Sequence, residues 1–155
     1  MRYRAIGLFT ILAAAANPAQ ANLPRAEVHA IDAGGIGRAL GTIDIVPAAA
    51  GVKLVANLTR LPPGEHGLQV HEHGECGPGP DAQGTPAAGM AAGAIWQAAD
   101  TAGAEQPFIF ATADGSAIGA AILPGVADAE ALRGRSLVVL ANRRDGARIA
   151  CGVIR

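Results

Sequence analysis

Apolar residues recur at every second position in short runs along most of this chain. Val52, Leu54, Ala56 and Leu58 alternate with Lys53, Val55 and Asn57, the period of a strand with one buried face. Similar runs lie at 28–31, 39–46, 68–73, 108–112, 117–123, 137–141 and 149–154. Gly, Pro and Asp break the pattern about every 8 to 12 residues, which predicts an all-β sandwich or barrel. Asp114-Gly115 and Asp145-Gly146 read as tight turns, and residues 126–132 as a helical turn. Alanine between 87 and 104 favours helix. Six glycines and three prolines between Gly74 and Gly93 oppose it, so this region reads as a long irregular loop.

The length of 155 residues suits one domain. Thirty-six alanines, 21 glycines and 3% aromatic residues give a core of small side chains. Lys53 is the sole lysine, and the net charge is −1. A nucleic-acid binder needs a basic excess, and a disordered chain needs more charge, so neither class fits.

Arg2 and Arg4 precede an apolar run at 5–16 and then Asn17-Pro18-Ala19-Gln20-Ala21. A basic start, a short apolar stretch and an A-x-A end predict a secretory signal peptide at 1–21, cut after Ala21. The mature domain is then 22–155, periplasmic or secreted. The apolar run is shorter than the roughly 20 residues of a membrane span, and no later segment is long enough. Without Arg2 and Arg4, the mature chain holds 10 basic and 13 acidic residues, a net charge of −3. Its two cysteines, Cys76 and Cys151, read most simply as one disulfide in an oxidising compartment. A pair of thiolate metal ligands is the alternative.

Three of the four histidines fall in His66-Gly67-Leu68-Gln69-Val70-His71-Glu72-His73. On a strand, Gln69, His71 and His73 share one face and Glu72 points to the other. Two imidazoles at i and i+2 can approach one metal, copper or zinc by preference. A polar, half-exposed strand end is the competing reading.

The string HGLQVHEHGEC resembles the HGFHVHE motif of copper/zinc superoxide dismutases, and GARIACGVI resembles that family's arginine-x-x-cysteine-GVI ending. Gly41-Thr42, the Ala113-Asp114-Gly115 turn, Gly134-Arg135-Ser136-Leu137-Val138-Val139 and the Leu-Pro-Pro-Gly-Glu-His approach also fit. The resemblance covers about residues 26–155. It implies an eight-stranded Greek-key β-barrel whose disulfide ties the long loop to the last strand, here Cys76 to Cys151.

In the family resembled, four histidines hold copper and one of them bridges to zinc. Those positions fall at Gln69, His71, Ile95 and Leu140, so His71 alone is kept. The segment from Trp96 to Pro107 is short and has no histidine. Glu105 stands at the zinc aspartate position, and one carboxylate does not make a zinc site. The loop before the last strand shrinks to Asn142–Ala147. Arg148 matches the family's anion-guiding arginine, with a loop-anchoring cation as the plain alternative. His66 matches a structural histidine.

Dismutation needs a redox metal, and an amide and two aliphatic side chains replace three imidazoles. The expectation is a non-catalytic binding or structural module, with no cofactor or a single copper ion, and no zinc. Copper carriage or buffering by His71 and His73, with Met90 as a thioether ligand, is a second reading. Residual dismutase activity at a remodelled site, with Arg148 in place, is a third. The partner is unnamed: another protein or a second copy of the chain, with no nucleic acid and no membrane span.

Overall fold

A computed structural model describes residues 22–98 and 104–155; the signal-peptide expectation at 1–21 lies outside the described residues. Ten strands follow in order: β1 (Arg25–Asp32), β2 (Gly35–Ala48), β3 (Gly51–Leu58), β4 (Gly64–His71), β5 (Gly79–Pro80), β6 (Pro86–Ala87), β7 (Phe108–Ala111), β8 (Ala117–Leu123), β9 (Ser136–Leu140) and β10 (Arg148–Val153). Eight of them correspond to the eight alternating runs. They form one antiparallel sheet in the order β7-β4-β9-β10-β1-β2-β3-β8. The end strands β7 and β8 meet at the Asp114-Gly115 turn, where Thr112 N–H donates to Ser116 O at 2.9 Å. The result is the expected Greek-key barrel, nearly closed.

Alternation builds the interior. Val52, Leu54, Ala56 and Leu58 of β3 are buried, while Lys53 and Asn57 are exposed. Register aligns them with Ile43 and Ile45 of β2. Leu68 and Val70 of β4 meet Val139 and Leu137 of β9 on the same inner face. Gly41 sits at φ 139°, beside a register shift between β1 and β2, and a methyl there would strike Asn57 O. Only glycine accepts both demands.

β9 is buried at all five positions, Ser136 to Leu140. Its inner side chains join the barrel core. Its outer ones, Val138 and Leu140, join a second cluster with Ile31, Cys76, Ala92 and Cys151. The long loop after β4 covers this outer cluster, and the Cys76–Cys151 disulfide holds it there. The loop is more ordered than its glycines and prolines predict. β5 and β6 pair as a small hairpin, with Asp81 Oδ1 accepting from Gln83 N–H at 2.9 Å and Thr85 N–H at 2.8 Å. A 3-10 turn follows at Met90–Ala92. A second 3-10 turn at Ala129–Leu132, capped by Asp128, matches the helical turn expected there. Asp145-Gly146 belongs to a longer irregular loop, closed by Ala141 N–H to Ala147 O at 2.8 Å. Among the described residues no helix is long and apolar enough to cross a membrane.

Candidate metal centre

The outer face of β4 and the loop folded over it bring the candidate residues together. His71, at the last position of β4, is fully buried. Its Nδ1–H donates to Gly93 O at 2.9 Å. The neutral ring then carries its lone pair on Nε2, which lies 3.3 Å from Gln69 Oε1. Burial is the main force lowering the His71 pKa below 6.5, and the positive charge of Arg148 adds to it. The hydrogen bonds with Gly93 and Ala94 act the other way.

The other positions assigned to copper offer no imidazole. Leu140 is 3% exposed in the outer cluster. Ile95 pairs with His71 in an isolated bridge, and 48% of it faces solvent. Gln69 turns its amide nitrogen away, and Gln69 Nε2 donates to Gln106 Oε1 at 3.2 Å.

His73 does not sit beside His71 on the strand. β4 stops at His71. The chain then bends back along the loop, with Glu72 N–H donating to Ala94 O and His73 N–H to Ala92 O, each at 3.0 Å. The exposed His73 ring packs on Gly93 and lies 3.2 Å through Nδ1 from Ala91 O. Met90 opens the 3-10 turn, its Cβ lying over Gly79.

Two further residues hold loops. The buried His66 ring spans two carbonyls, with Nδ1 2.7 Å from Leu140 O and Nε2 2.7 Å from Pro62 O. Arg148, half-buried in β10, donates from Nη1 to Gly89 O at 2.7 Å. Desolvation pulls its pKa below the usual arginine value.

A structural zinc site takes four ligands, and a catalytic one three plus water. Here His71 Nε2 is the one imidazole lone pair, next to a neutral amide oxygen. Ser136 Oγ, buried opposite His71 in the β4–β9 register, has no protein partner. As a neutral hydroxyl it completes no ligand set. Among the described residues, no group of three or more His, Cys, Asp and Glu side chains is placed to hold a metal. The donor set fits neither a copper ion nor the copper–zinc pair.

Sequence reasoning missed a polar cluster beside this site. Gln106 takes the Gln69 amide on one side and donates from Nε2 to Arg143 O at 3.2 Å on the other. The Arg143 guanidinium stacks 3.8 Å above the Phe108 ring. It is ion-paired with Glu105, and lies 3.8 Å from Glu65. Glu105, expected from the resemblance at the zinc aspartate position, is paired with an arginine instead. One signal was available: a glutamine at a ligand position calls for amide partners.

The family model for copper/zinc superoxide dismutase matches residues 39–154. A superoxide dismutase [Cu-Zn] from Caulobacter vibrioides is 36% identical, over 78% of this chain and 81% of its own. One from Escherichia coli K12 is 29% identical over 90% of this chain and 92% of its own. Among solved structures, the Cu/Zn superoxide dismutase from Brucella abortus superposes with a TM-score of 0.76 at 28% identity. That match covers 84% of this chain and 98% of the other.

Proposed function

The chain belongs to the copper/zinc superoxide dismutase family, and from that premise we propose that it is a member without dismutase activity. In this reading it is exported, and it serves as a disulfide-stapled barrel that binds a protein partner or acts structurally in the periplasm or outside the cell. One observation carries the proposal. Three of the four copper positions hold Gln69, Ile95 and Leu140: Gln69 is hydrogen-bonded to Gln106, Leu140 is packed in the outer cluster, and Ile95 is a half-exposed aliphatic side chain with no ligating atom. A redox metal cannot be held by the single imidazole that remains. Export rests on the N-terminal pattern of Arg2, Arg4 and the Ala19–Ala21 end. The Cys76–Cys151 disulfide supports it, since such bonds persist in oxidising compartments.

Arg148 also takes a different role in this reading. Without a metal there is no reaction for it to serve, and its contact with Gly89 O makes it an anchor between β10 and the loop.

The test is metal content per chain and superoxide turnover of the copper-loaded protein. We expect less than about a tenth of a copper or zinc ion per chain after dialysis, and decay of a superoxide pulse at the uncatalysed rate. One copper per chain, lost on His71→Ala, with turnover above free copper would overturn the proposal.

A further inference from the structure

Ligands drawn from separate elements make a metal a cross-link, and the free energy of binding becomes folding free energy. The four copper positions of this chain lie on β4, on the covering loop and on β9. A barrel that has lost these ligands has lost that cross-link. The described side chains show what stands in its place.

A hydrogen-bonded line crosses the site. Arg143 O accepts from Gln106 Nε2, and Gln106 Oε1 accepts from Gln69 Nε2. The line ends at Gln69, whose Oε1 faces the His71 Nε2 lone pair with no proton between them. The line joins the 141–147 loop, the segment before β7 and the middle of β4. Its polarity is set at one end: a backbone carbonyl only accepts, so Gln106 must present its nitrogen there and its oxygen to Gln69. Two backbone bonds run alongside, Gly67 N–H to Asn142 O at 2.9 Å and Leu68 N–H to Pro107 O at 2.8 Å. Gly67 leaves room for the line. A methyl there would collide with both Gln106 Nε2 and Arg143 O, the two atoms of one hydrogen bond.

We propose that the Gln69–Gln106–Arg143 line is a metal-independent latch that fixes segment 104–107 and the 141–147 loop against β4. The latch does the cross-linking for which the family's architecture reserves metal ions. It rests on the reading that no metal occupies the site. Arg143 reinforces it from outside, because its guanidinium clamps Phe108, Glu105 and Glu65 while its own carbonyl ends the line.

A double-mutant cycle tests the latch. Gln69→Ala, Gln106→Ala and the double variant are compared with the parent by thermal unfolding and by amide hydrogen exchange across 141–147. Each single change should lower the midpoint by about 3–5 °C. The double should fall little further, because either change cuts the same line. Exchange at the Ala141 amide should speed up by roughly tenfold. Additive losses, or an unchanged midpoint and unchanged exchange, would overturn the latch. Gly67→Ala adds a check that keeps both amides: it should reproduce the faster exchange, and parent-like exchange counts against the latch. The parent is also measured with EDTA and with equimolar copper and zinc. A midpoint constant within about 1 °C supports the metal-free reading. A copper-dependent rise of about 5 °C or more would sink that reading, and the double-mutant cycle would still decide the latch on its own.

Discussion

Leu140 stands where a copper ligand is expected, and truncating it asks whether that position is now core. The side chain is 3% exposed and packs in the outer cluster with Ile31, Val138 and Cys151. Leu140→Ala removes buried methyl groups and leaves a void beneath a disulfide-held loop, so the surroundings cannot collapse freely. Such changes cost about 2–5 kcal/mol, and the tethered loop argues for about 3. A domain of this size unfolds with an entropy near ~270 cal/mol/K, so the midpoint should drop by about 11 °C. The backbone carbonyl that receives His66 is untouched by the change. Leu140→Met keeps the volume and should cost less than about 1.5 kcal/mol. The assay is thermal unfolding of oxidised protein, with free thiol measured to confirm the disulfide. A drop below about 3 °C for the alanine variant would show a slack position, still open to a ligand, and would refute the reasoning.

Two more predictions follow from the same structure. The folded His71 pKa lies below its unfolded value of 6.5, so the unfolded chain binds the extra proton first. The stability that this group contributes is complete above about pH 6.5, declines as the pH falls towards the folded pKa, and is flat below it. Midpoints compared at pH 7.5 and pH 5 should show the loss, and a His71→Gln variant should show less of it; equal slopes would reject burial as the cause. Reducing Cys76–Cys151, which joins residues 75 apart, should cost about 4 kcal/mol on the chain-entropy model. An unchanged denaturant midpoint after complete reduction would show that the loop packing holds without the bond.

The barrel was legible because period-2 burial writes itself directly into the sequence: Val52, Leu54, Ala56 and Leu58 all point inward. The disulfide was legible through the resemblance and the pairing of two cysteines. His73 was misplaced for a physical reason. Alternation continues past His71 in the sequence, but the backbone leaves the ladder there and bonds to Ala92 and Ala94 instead. Gln106 and Arg143 could not be found by local reasoning. Gln69 at a ligand position calls for an amide partner, but the partners lie 37 residues away in sequence, and spacing does not say which residues they are. The buried run of β9 was ambiguous for a related reason. Five consecutive buried positions record a core on one face and a covering loop on the other, and the loop is a tertiary fact.

The ligand losses proposed at Gln69, Ile95 and Leu140 would form a consistent set. An imidazole left without metal in a dry site leaves an unmet nitrogen, at a cost of about 1–3 kcal/mol. Leu140 removes that nitrogen and fills the space with packing. Ile95 removes it at a half-exposed position, where an aliphatic side chain costs little. Gln69 keeps a polar group but makes it bifunctional, so it can join a line of amides. His71 donates its Nδ1–H to Gly93 O and so helps to hold the covering loop. That bond gives His71 a structural role that needs no metal. Arg148 has a backbone partner of the same kind, since its Nη1 donates to Gly89 O.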